Sequence, residues 1–240
     1  MTLAELASGC YIYAVMTDDG GYYKFLTQTS PTLDLTKEPH RKSLLTFLNS
    51  WSCRQFVVAH HDQAAKQIEE WHQKFSGKIF PTDTSLLSLT NHELDTVEEA
   101  YNDLVNRFAA KKTLKGKGEK KGVDKEVDVR FGPVGTAKIF FALRPNALMP
   151  WDDAIIDGLK LDDSSGSYRR YLEKGKEWLN ELSEECNKQG FALADLPNMV
   201  GRPKSTLPKL IDEYLWVTVT NKRQLPTKEM VERWVKWGLQ

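Results

Sequence analysis

Residues 131–155 read FGPVGTAKIFFALRPNALMPWDDAI, and the reading of this stretch decides the rest. Gly132, Pro133 and Gly135 predict a tight turn. The apolar run Ala137, Ile139, Phe140, Ala142, Leu143 then predicts a buried helix that Arg144-Pro145 ends. Pro150-Trp151 sets Asp152 and Asp153 at the start of a further helix. A glycine turn running straight into a helix leaves several N–H groups unshielded at the positive end of the helix dipole, which suits an anion such as a phosphodiester.

Working outward, helical periodicity dominates. Leu44, Leu45, Phe47, Leu48, Trp51 and Phe56 recur at three and four residues, as do Ile68, Trp71 and Phe75. Thr90 or Asn91 caps a run carrying Leu94, Val97, Tyr101, Leu104, Val105 and Phe108. On the C-terminal side, residues 168–188 form a long amphipathic helix, and Ser205 or Thr206 caps another that extends to about Val217. In the tail, Thr227 caps a segment whose Met230, Val231, Trp234 and Trp237 form an inward stripe. One segment departs from the pattern. Residues 10–27 place two aromatic-rich runs around Asp-Asp-Gly-Gly, which fits a small N-terminal β-hairpin or the continuation of a helix. The expected fold is mainly α, as one compact unit of an N-terminal helical region (1–110), a Lys/Gly-rich loop (111–126) and a C-terminal helical region (127–240).

Hydrophobic content of 40% and charged content of 28% are those of a folded globular chain. With 33 basic and 33 acidic residues, net charge neither favours nor excludes a polyanion. Local charge is more informative. Between Arg107 and Arg144 stand eleven Lys/Arg against four Asp/Glu, an excess of seven beside the central turn. Lys115, Lys117, Lys120 and Lys121 form either a solvated loop or a phosphate-contacting one, and Arg202 with Lys204 makes a second basic loop. Cys10, Cys53 and Cys186 show no ligand spacing and read as reduced or buried thiols in a cytoplasmic protein. The five histidines supply no ligand set, so neither metal nor cofactor is expected. No apolar run approaches the length of a membrane span, and the N-terminus lacks a basic leader.

The residues from Phe131 to Gly135, followed by Thr136-Ala137 and then Pro150-Trp151-Asp152 with Ile155, resemble the helix-hairpin-helix DNA glycosylases. That family's pattern is an apolar-Pro-Gly-Val-Gly hairpin, an apolar helix and a Pro-x-Asp corner. The resemblance covers roughly residues 128–160. It implies a two-lobed helical fold and excision of a damaged or modified base from double-stranded DNA by a monomer. Gly132, Val134, Gly135 and Thr136 would grip the backbone, Trp151 would contact the flipped base, and Asp152 would be the catalytic carboxylate. This chain inverts the Pro-Gly order and spaces Gly135 from Asp152 by 17 residues. The lysine of bifunctional members is replaced by Ala137, with Lys138 one residue on and rotated by about 100°. A monofunctional enzyme is therefore expected, with Lys138 as a further catalytic candidate. Two other readings use the same residues. Asp152 is equally a helix N-cap, and the chain is then a non-catalytic DNA-binding module or a helical interaction protein.

Overall fold

The computed structural model describes residues 1–114, 125–227, 229–231 and 233. Lys115, Lys117, Lys120 and Lys121 lie outside the described residues, as do Trp234 and Trp237.

The N-terminus is helical throughout. Helix α1 (Leu3–Met16) is started by a capping box, in which Thr2 Oγ1 accepts from the Glu5 N–H and the Glu5 carboxylate accepts from the Thr2 N–H. Helix α2 (Gly20–Gln28) follows after a short turn in which Asp18 Oδ1 accepts from the Gly20 N–H at 2.7 Å. The β-hairpin expected over residues 10–27 is thus corrected to a helix–turn–helix. Leu6, Cys10 and Tyr13 share one buried face of α1, and Tyr22 and Phe25 one of α2, a spacing that a strand cannot provide. Asp-Asp-Gly-Gly marks the corner between two helices.

Helices α3 (Glu38–Ser50) and α4 (His61–Phe75) pack together and are joined by a loop holding Phe56 and Cys53 in the core. Helix α5 (Asn91–Val105) opens on a capping box of Thr90 and Glu93. It stops at Val105, so Phe108 belongs not to this helix but to strand β1 (Phe108–Leu114). Strand β1 pairs antiparallel with β2 (Lys125–Arg130), with an irregularity between Phe108 and Ala110. The ends of the lysine-rich segment are therefore strands.

Phe131 is reached directly from β2, and helix α6 (Gly132–Leu143) begins at once, with α5 packed along it. The resemblance implies a helix on both sides of this turn, and here the preceding element is a strand. Nearly all of α6 is buried. Helix α7 (Asp153–Gly158) is short. Helix α8 (Ser165–Lys188) spans 24 residues, and α9 (Leu196–Met199) is one turn. Helix α10 (Leu207–Leu215), capped by Thr206, continues into a π-helical segment, Trp216–Thr220. Beyond it, Met230 and Val231 are exposed at 42% and 38%. The inward stripe expected of the tail is thereby corrected for these two residues.

Buried side chains from Leu6 to Leu215 form one connected cluster. It draws on both the 1–110 and the 127–240 regions, so the chain is mainly α around a shared core. All three cysteines are free and buried.

Candidate functional site

The turn at Phe131 has the backbone that its glycines predict. Gly132 sits at φ +70°, the left-handed region, with nothing within 4 Å of where a Cβ would stand. Gln55 Nε2 donates to the Phe131 carbonyl at 3.1 Å, and the start of α6 carries no side-chain cap. Beside it lies a groove of about 470 Å³ lined by Arg54, Gln55, His60, Ala110, Lys111 and Val129. Gly132 and Val134 are partly exposed here. Gly135 and Thr136 are not. A Cβ on Gly135 would meet Gln55 and the Phe56 ring at 3.2 Å, and Thr136 is fully buried with its hydroxyl unpartnered. Direct backbone contact by Gly135 and Thr136 is corrected accordingly: both pack inward, and the glycine serves the close approach of Phe56.

Asp152 is the N-cap of α7. Its Oδ1 accepts from the Ile155 N–H at 2.8 Å and its Oδ2 from the Thr220 hydroxyl at 2.9 Å. Each oxygen keeps a further lone pair. The side chain lines a cleft of about 420 Å³, and Lys138 lines the same cleft. Lys138 Nζ donates to the Trp51 carbonyl at 2.7 Å and lies 5.9 Å from the centre of the Trp51 ring. The rotation by one helical residue has not turned Lys138 away from Asp152.

The remaining wall comes from far along the chain. Tyr13, Thr17 and Asp18 arrive from the end of α1. Trp51 and Ser52 come from the end of α3, where Ser52 adopts φ +67°. Asp212 comes from α10, and Trp216 and Thr220 from the π-helical segment. Such segments widen a helix by one residue and often stand at functional positions. Here it aims Trp216 and Thr220 into the cleft. Trp151 contributes only an edge. It is fully buried, donates from Nε1 to the Pro133 carbonyl at 3.2 Å, and stacks on Tyr171 at 5.5 Å. The part-exposed aromatic residues lining the cleft are Trp51, whose ring also stacks on Phe141 and Tyr22, and Trp216, which corrects Trp151 as the base-contacting ring.

Beneath the cleft lies a buried charge network. Lys209 Nζ is 3.1 Å from both Asp212 Oδ2 and the Tyr13 hydroxyl, 3.6 Å from Glu213 Oε1, and 4.2 Å from the Tyr13 ring centre. Burial works against the Lys209 charge, but Asp212, Tyr13, Glu213 and Asp19 outweigh it and hold the ammonium above its ordinary range. Burial holds the Asp212 carboxyl above its ordinary range, and Lys209 and Lys138 offset this only in part. Arg202 completes the network, bridging Glu213 at 2.8 Å and Asp19. Its guanidinium therefore faces inward, away from any external phosphate. Lys204 is exposed, its Nζ 5.4 Å from the Tyr23 ring centre.

Among the described residues, no group of three or more His, Cys, Asp or Glu is placed to hold a metal, and no helix is long and apolar enough to cross a membrane. Comparison with known protein families, with curated proteins and with solved structures finds no match.

Proposed function

We propose that this chain is a monofunctional DNA glycosylase-like hydrolase of the helix-hairpin-helix type. It would act as a cytoplasmic monomer on double-stranded DNA and release a damaged or modified base, in repair or in defence against phage. One observation carries the reading. Asp152, the carboxylate that the resemblance implies, and Lys138, one residue past the position of the family's lysine, line one cleft with Trp51 and Trp216. A flipped base needs a planar slot with polar edges, and the part-exposed Trp51 and Trp216 would supply its aromatic lining.

The chemistry follows from the charges. As the bond from C1′ to the base nitrogen breaks, both electrons leave with the base and C1′ becomes cationic. The Asp152 carboxylate stabilises that cation and takes the proton of the water that adds to C1′. The Lys138 ammonium, with one proton committed to the Trp51 carbonyl, has others to offer the negative charge developing on the departing base. Phosphates would be held by Lys111 and Arg54 and by the uncapped start of α6.

The test uses duplexes carrying oxidised, alkylated or deaminated bases, scored for alkali-labile abasic sites. Asparagine is as good an N-cap as aspartate, so Asp152→Asn keeps the cap of α7 while it removes the charge and the second oxygen, which accepts from the Thr220 hydroxyl. The expected result is a loss of about 100-fold or more, in line with removal of one transition-state charge. Activity unchanged in Asp152→Asn would exclude it as the catalytic group. The non-catalytic DNA-binding module is the second reading, favoured by the capping duty of Asp152. It predicts salt-sensitive duplex binding with no base release from any substrate.

A further inference from the structure

The hydroxyl protons around the cleft are largely spoken for. Tyr13 donates to Asp19 at 2.8 Å, Thr17 to the Tyr13 carbonyl at 2.8 Å, Ser50 to the Phe47 carbonyl at 2.7 Å and Thr220 to Asp152 at 2.9 Å. Each therefore turns lone pairs rather than a proton towards a ligand. The acidic and basic side chains that line the cleft lean the same way: Asp18, Asp152 and Asp212 stand against Lys138 alone. Donors that remain are Lys138, the Ser52 hydroxyl and the indole N–H groups of Trp51 and Trp216. Among the lining residues the acceptors outnumber these donors.

Asp212 differs from the other two carboxylates. Asp18 is exposed to solvent, with Oδ1 tied to the Gly20 N–H, and both oxygens of Asp152 hold bonds. Asp212 lines the cleft and receives Lys209 on Oδ2, whereas its Oδ1 makes no hydrogen bond among the described residues. Its side chain is 14% exposed, so the carboxylate is anchored through Oδ2 and poorly hydrated. An acceptor of that kind gains most from a ligand that brings N–H groups and loses most to one that brings lone pairs.

We infer that Asp212 sets the base preference of the cleft by accepting from a guanine-type edge, a ring N–H beside an exocyclic amino group. This rests on the reading of the cleft as a base pocket. Lys209 is the positioning residue, fixing Oδ2 so that Oδ1 faces the ligand.

The test is nucleoside binding to the full chain, followed by quenching of tryptophan fluorescence, since Trp51 and Trp216 line the cleft. Deoxyguanosine and deoxyinosine differ only in the amino group. The native protein should bind deoxyguanosine about tenfold more tightly, the ratio that one hydrogen bond to a charged group supplies. Asp212→Asn should abolish the difference. Because that change also leaves Lys209 less compensated, Asp212→Glu is the companion variant. It keeps the charge for Lys209 but displaces the carboxylate by a methylene, and it too should lose the preference. Equal affinities in the native protein, preference retained in both variants, or no saturable quenching up to millimolar nucleoside would each overturn the inference. Base release from duplexes that depends on Asp152, with a preference indifferent to Asp212, would sink this inference alone. Asp212-dependent preference without base release from any duplex would leave it standing and sink the glycosylase reading.

Discussion

The guanidinium of Arg202 lies between Asp19 and Glu213, whose side chains are 5% and 0% exposed. Removing it strands two carboxylates in a region that water barely reaches, and Lys209, 3.6 Å from Glu213, compensates only one of them. Breaking one side of a buried ion pair costs about 3 kcal/mol or more. Arg202→Ala should therefore lower the thermal midpoint by about 10 °C, a shift suited to a chain of this length. Lys204→Ala, removing an exposed charge two residues away, should move it by less than about 2 °C. Circular dichroism melts of the two variants decide. Equal effects would mean that the buried network contributes nothing beyond a surface charge. In sequence the two residues look alike, both basic in one polar loop. What separates them is the identity of their neighbours, which comes from α10 and the corner before α2. The same reason hid Asp212 and Trp216, whose local pattern is that of an ordinary amphipathic helix. Asp152 and Lys138 could be found because their signal is local, a Pro-Trp-Asp corner and a glycine turn.

At the scale of elements, legibility followed local chemistry. The helices with a clean apolar stripe, α4 and the side-chain-capped α5, α8 and α10, are where periodicity puts them. Residues 10–27 were ambiguous because aromatic residues favour strands by propensity, whereas burial on one helical face decides the outcome. The strands β1 and β2 were hidden by their lysines and charged residues, which a solvated hairpin tolerates and a core strand would not. The join from β2 to α6 is the most demanding element. Gly132 has open space for a Cβ but a positive φ, so Gly132→Ala should cost about 1 kcal/mol from backbone strain alone. Asparagine tolerates that region better than alanine, so Gly132→Asn should recover part of the loss. Urea unfolding of both variants checks this. A Gly132→Asn protein less stable than Gly132→Ala would show that space at the turn, rather than its backbone angle, is limiting.

Across the whole molecule, the cleft is built where the ends of α1, α3 and α10, the middle of α6 and the start of α7 meet, so it exists only while the shared core is intact. Several carboxylates that hold element ends are tuned for neutral pH. Hydrogen bonds from Ser164 and Ser167 lower Asp162, at the start of α8, to about 2 from an ordinary 3.8. Glu93 is lowered by the Thr90 N–H and hydroxyl at the start of α5. Burial raises Asp103, but Arg107 and Lys74 overcome it and leave the carboxyl below its usual range. A carboxyl with a folded pKa below its unfolded one binds protons more readily when the chain is unfolded, so its contribution is full above about pH 4 and lost as pH falls through the folded value. His72 adds an earlier and shallower loss. Burial and Arg144 lower it from an ordinary 6.5, so unfolding takes up a proton below that pH. The thermal midpoint should therefore decline gently below pH ~6.5 and steeply between about 4 and 2. Asp162→Asn keeps the geometry of the turn without the titrating group and should flatten the lower part of that curve. A variant whose midpoint falls as steeply as the native protein's between pH 4 and 2 would show that the start of α8 takes no part in acid unfolding, and would leave Glu93 and Asp103 to account for it.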